Sequence, residues 1–107
     1  MWNFFKKKEK QIKELPPNTV RKEFYFEGHV QNVGFRFEIQ RRAKPLGITG
    51  FAQNNEDGSV TAQLQGKEKD IEKVVASIQK IDHIHLDYIG EKEIPTKPGE
   101  DDFYILY

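Results

Sequence analysis

The chain has 107 residues, 36% hydrophobic and 32% charged; at that size one domain buries roughly two thirds of its unfolded surface and needs no disulfide or structural metal. It has no cysteine and no run of about 18 apolar residues, so disulfide frameworks, thiol nucleophiles, Cys-ligated zinc and a transmembrane helix are not expected, nor is a secretory signal. The net charge of zero is uneven: residues 1–22 carry seven bases against two acids and residues 23–107 ten bases against fifteen acids, so the body lacks the basic surface of a general nucleic-acid binder.

Residues 1–19 read as a basic, aromatic extension ahead of a domain spanning 20–107. Trp2, Phe5, Ile12 and Leu15 recur at roughly helical spacing until Pro16 and Pro17 stop the pattern. Aromatics beside Lys6, Lys7 and Lys8 suit an anionic membrane surface, but the stretch is short for that, and membrane contact by residues 1–15 is not expected. Val20 to His29 alternates as a strand, with Phe24 and Phe26 on one face and Glu23, Tyr25 and Glu27 on the other. Phe35, Ile39, Ala43 and Leu46 mark a helix that Pro45 shortens and Gly47 ends. Ile48 to Asn54 is a second strand and Asn55 to Gly58 a turn. Val60, Ala62 and Leu64 form a third strand, expected to break at Gly66. Ile71, Val74, Val75, Ile78 and Ile81 make a second amphipathic helix. Ile84, Leu86 and Tyr88 alternate along a fourth strand, and Phe103, Ile105 and Tyr107 line a closing one. The order βαββαβ, with an extra C-terminal strand, predicts an α+β, ferredoxin-like sandwich: an antiparallel sheet with two helices on one face.

Residues 28–36 read Gly-His-Val-Gln-Asn-Val-Gly-Phe-Arg between the first strand and the first helix. Their backbone N–H groups and the positive end of the following helix suit phosphate or carboxylate. Arg36 stands in the first helical turn, where a cation opposes the macrodipole by about 0.3–1 kcal/mol, and the loop holds no carboxylate to compensate. Such a broken local rule points to a site, and a guanidinium there can fork onto two phosphate oxygens. The strands flanking a crossover helix run parallel, so Asn54, ending the second strand, can face the same hollow. Its amide both donates and accepts, which suits holding a water in a fixed direction; a plain turn role beside Asn55 is the alternative. His83 and His85 share a strand face without a third ligand nearby, so no metal site is expected. Glu56 and Asp57 read as turn residues, and Ser59 lacks a His and Asp constellation.

The run Gly28 to Arg36, with Ala43, Leu46-Gly47, Gly50-Phe51-Ala52-Gln53-Asn54 and Asp57-Gly58-Ser59-Val60, resembles the acylphosphatase signature, densely over residues 28–66. The resemblance implies metal-independent hydrolysis of acyl phosphates to carboxylate and inorganic phosphate, with no cofactor and no covalent intermediate. It implies that Arg36 and the loop amides of His29, Val30, Gln31, Asn32, Val33 and Gly34 bind phosphate, and that Asn54 orients the attacking water. A cytoplasmic monomer acting on a small molecule, with no nucleic-acid partner, is the expectation. Asn32 stands where the family usually has glycine, and Phe51-Ala52 where it has Trp-Val. Asn tolerates the left-handed region better than most residues. The Asn32 exchange leaves an alternative: a catalytically weak phosphate- or ligand-binding domain on the same scaffold.

Overall fold

The computed structural model describes residues 15–107; the readings made for residues 1–14, including the helical spacing from Trp2 and the membrane question, lie outside the described residues. The elements are β1 (Thr19–His29), α1 (Phe35–Ala43), β2 (Thr49–Asn54), β3 (Val60–Lys67), α2 (Glu68–Ile78), β4 (His85–Ile94) and β5 (Phe103–Leu106). The strand order is β4-β1-β3-β2-β5. Phe24, Phe26, Ala52, Val60, Ala62 and Leu64 line one face, which the apolar sides of α1 (Phe35, Ile39, Ala43) and α2 (Ile71, Val74, Ile78) close into one core. Each phenylalanine sealed there contributes about 1.5–3 kcal/mol over exposure.

Several expectations need correction. The sheet is antiparallel except at its last pair: β5 runs parallel to β2, with Gly50 opposite Phe103 and Gln53 opposite Leu106. The reason is the route of the chain, because residues 95–102 cross from the β4 edge to the β2 edge and deliver β5 in the direction of β2. Gly66 does not break β3; the strand continues through it to Lys67, paired with β1 from Thr19 onward. Leu46 is not on a buried helical face: α1 ends at Ala43, a 3₁₀ turn covers Lys44–Leu46, and Leu46 is exposed. Pro45 takes the first turn of that short 3₁₀ segment, where its missing N–H costs nothing. Ile81 lies beyond α2 yet packs on the core. The fourth strand begins at His85 and reaches Ile94. A bulge shifts its register, with Glu27 opposite Tyr88 but Gly28 opposite Leu86. The extra residue, Asp87, inverts the alternation, so Ile89 turns to the core and Tyr88 faces outward.

The opposite sheet face carries Arg21, Glu23, Tyr25, Gln63 and Gln65. Residues 95–102 strap across it: Arg21 is fully buried and pairs with Glu100 through Nη1 at 2.8 Å and Nη2 at 3.2 Å. On the helix face Lys22 reaches Glu68 and Glu91, both at 2.8 Å, joining α2 to β4. Those two carboxylates raise its pKa above the ordinary lysine value.

Candidate functional site

The loop between β1 and α1 is shaped by three backbone requirements. At Gly28 (φ 137°) a Cβ would stand 2.1 Å from the His85 carbonyl oxygen, so only glycine lets β1 lie against the bulged β4. Val30 then drops into the core and anchors the loop from below. Asn32 adopts φ 62° and Gly34 φ 76°, so the asparagine occupies the left-handed conformation expected of it. Gly34 caps α1 without any side-chain hydrogen bond, and the first helical bond runs from the Glu38 N–H to the Gly34 carbonyl at 3.0 Å. The Arg36 and Phe37 N–H groups therefore precede the helical ladder and have no intrahelical acceptor, at the positive end of the macrodipole. Phe35 fixes this end of the helix: its ring meets Phe26 edge-on, with centroids 5.1 Å apart.

Arg36 follows that anchor, and its guanidinium reaches outward. Nη1 donates to the Leu106 carbonyl at 2.7 Å, and the guanidinium carbon sits 5.0 Å from the centre of the Tyr107 ring. The sequence-based view of Arg36 as a cation without a structural gain is therefore corrected: its partner is a carbonyl seventy residues away on β5. Leu106 lies beside Gln53, the neighbour of Asn54, so this contact joins Arg36 to the end of β2.

Asn54 stands opposite Val60, in the register that carries Ala52 and Ala62, on the helix-bearing face at the C-terminal end of β2. It is partly exposed. Asn55 is different, because the turn absorbs its amide: Nδ2 donates to Ser59 Oγ and Thr61 Oγ1, both at 2.8 Å. Gly58, at φ 93°, closes that turn. Asp57 accepts from the Ser59 N–H at 2.9 Å and from the Ser59 and Tyr25 hydroxyls. Those donors, the Ser59 hydroxyl foremost, hold the Asp57 carboxyl down at a pKa of about 2, and Asp57 in turn raises the Tyr25 phenol.

Of the loop residues, His29 closes β1 opposite His85. The Gln31 side chain turns toward the β2–β3 turn, donating from Nε2 to the Asn55 carbonyl at 2.7 Å and the Ser59 carbonyl at 2.9 Å. Val33 packs partly on the core, and its carbonyl lies 3.3 Å from His83 Nε2. His83 sits in the turn before β4 rather than on a strand face, and His85 pairs with Asp87 at 3.0 Å. Among the described residues no three His, Cys, Asp or Glu side chains converge as metal ligands. No helix among them is long and apolar enough to cross a membrane. A groove of about 700 Å³, lined by residues such as Leu46, Thr49, Lys67 and Glu100, lies at the other end of the sheet, where β1 begins, and includes none of the loop residues.

The Gln31 bridge and the Arg36–Leu106 contact escaped sequence reasoning, since both depend on which strand ends meet. That the two crossover strands run parallel and end at the same edge of the sheet signalled only the general location.

Comparison with known proteins agrees with this architecture. A sequence model of the family described as Acylphosphatase matches residues 22–105. An acylphosphatase of Clostridium acetobutylicum is 41% identical over 81 residues, covering 75% of this chain and 89% of that protein. One of Lactobacillus johnsonii is 39% identical over 82 residues, covering 75% and 90% respectively. The crystal structure of acylphosphatase from Bacillus subtilis superposes with a TM-score of 0.76 at 26% identity, over 82% of this chain and 99% of that one. With its signature loop, its strand order and its relatives in agreement, the chain belongs to the acylphosphatase family.

Proposed function

We propose that the chain hydrolyses acyl phosphates without a metal, that Arg36 and the loop amides of residues 29–34 hold the phosphate, and that Asn54 directs the attacking water. The observation that carries this reading is the meeting of three features at one end of the sheet. They are a loop folded tightly by left-handed Asn32 and Gly34, an N-terminus of α1 with no side-chain cap, and Asn54 at the end of β2. Phosphoryl transfer passes through a loose transition state, so positioning and charge stabilisation supply most of the acceleration. The guanidinium and N–H groups would neutralise charge on the equatorial oxygens. The water oxygen, held by the Asn54 amide, bonds to phosphorus as the bond between phosphorus and the acyl oxygen breaks. The acyl oxygen leaves with the electron pair as a carboxylate, good enough as a leaving group that no general acid is required. The water's proton passes to solvent or to a phosphate oxygen.

The test is hydrolysis of benzoyl phosphate in metal-free buffer. The expected result is turnover that survives a chelator, with little action on ordinary phosphate monoesters. Loss of activity with chelator, restored by a divalent ion, would count decisively against the reading. Phosphate binding without turnover would instead establish the weakly catalytic alternative that Asn32 suggests.

A further inference from the structure

We propose that Gln31 is a positioning residue: by clamping the β2–β3 turn to the phosphate loop, it sets where Asn54 stands relative to bound phosphate. The inference rests on the assignment of Asn54 as the water-directing group. Gln31 lies inside the loop, yet its side chain is committed elsewhere, to the carbonyls of Asn55 and Ser59. Asn55 is the residue directly after Asn54, so the clamp closes one peptide from the amide it would position. Ser59 is on the far side of the same turn, where its N–H and hydroxyl hold Asp57 and its carbonyl also accepts the Asn55 N–H at 2.8 Å. Both clamp bonds come from a single nitrogen, Nε2, and both acceptors are carbonyls. The position therefore needs a group with at least two hydrogens on one nitrogen. The primary amide of glutamine supplies that group, whereas a glutamate carboxylate would face two carbonyls with no donor at all. Asn54, by contrast, is the last residue of β2: its pairing with β3 ends there, opposite Val60, and the pairing of β2 with β5 reaches only its neighbour Gln53. Without the clamp the turn and the loop would be free to part, and a misplacement of about 1 Å can cost up to two orders of magnitude in rate.

A double-mutant cycle on kcat for benzoyl phosphate separates positioning from simple structural support. Gln31→Met keeps the stem and removes both donors; it should lower kcat roughly tenfold while inorganic phosphate inhibits about as well as before. In the Asn54→Ala background the same change should lower kcat by less than about twofold, because the group it positions is already gone. An equal fold-loss in both backgrounds would overturn the proposal, as would loss of phosphate affinity at unchanged kcat, which would make Gln31 a loop support only. Should Gln31→Met fail to fold, Gln31→Glu carries the same cycle, and acid pH, which restores one O–H donor, should partly recover its kcat. Wild-type kcat in Asn54→Ala alone would defeat the water-directing assignment itself, an outcome distinct from additivity, and the positioning role with it.

Discussion

Arg36 and Asn54 differ in what each side chain would contribute, and that difference can be measured. A guanidinium on phosphate acts in the ground state as well as the transition state, whereas an amide aiming water acts only once the water attacks. Arg36→Ala should therefore lower kcat/KM by about 2–4 kcal/mol and weaken inhibition by inorganic phosphate sharply. Asn54→Ala should lower kcat and leave phosphate inhibition nearly unchanged. Equal loss of phosphate affinity in the two would refute the division of roles. Stability adds a second distinction. Arg36→Ala also removes the bond to the Leu106 carbonyl and the contact with the exposed Tyr107 ring, at a cost of about 0.5–1 kcal/mol for groups that water reaches. Asn54→Ala gives up no such contact among the described residues. The residue types were legible in the sequence because Arg36 breaks a helix-terminus rule within nine residues of Gly28. Its acceptor was not, since nothing local to Arg36 points to a carbonyl on β5.

At the scale of elements, period-two and period-3.6 patterns locate β1, β3, α1 and α2 because burial on one face dictates them. They fail where the backbone departs from the regular period. The bulge at Asp87 inverts Tyr88 and Ile89, and a single extra residue leaves no compositional trace. The β2–β3 turn was legible as Asn55 to Gly58, but not the reach of Asp57 across to Tyr25 on β1. That reach has a pH signature. The Asp57 pKa is depressed from 3.8 to about 2, first by the Ser59 hydroxyl, then by the Tyr25 hydroxyl. A depressed carboxyl adds stability at pH values above its unfolded pKa and loses it as pH falls through its folded pKa. The contribution should thus be complete above about pH 5 and lost progressively as the pH falls through 3.8 and then about 2. The site is exposed, so solvent screens the effect and keeps it small. Urea midpoints of wild type and Asp57→Asn should differ at pH 6 and converge as the pH nears 2. A difference independent of pH would assign the effect to hydrogen bonding by the neutral group.

At the scale of the whole molecule, one connection decides how the sheet ends. Residues 95–102 must cross from the β4 edge to the β2 edge, and nothing in their composition announces that they cover a sheet face. The fastening is the Arg21–Glu100 pair, whose side chains are 3% and 8% exposed, supported by Gln63 accepting from Arg21 Nε at 2.9 Å. Gln65 extends it, exchanging bonds with the Lys97 backbone at 2.7 and 3.1 Å. Removing one partner of a buried pair leaves an uncompensated charge, which costs about 3–5 kcal/mol, whereas replacing both with apolar groups is often close to neutral. Glu100→Ala should fall toward the lower end of that range, because Gln63 and Gln65 still accept from Arg21. The double change Arg21→Met with Glu100→Leu should recover most of the loss, as read from urea midpoints. The strap grips the end of the sheet where β1 begins, while the loop between β1 and α1 and Asn54 lie at the other end. Below its melting temperature, Glu100→Ala should therefore retain kcat. If kcat fell in step with stability in the folded state, the strap would be acting on the site through β5, whose Leu106 carbonyl holds Arg36.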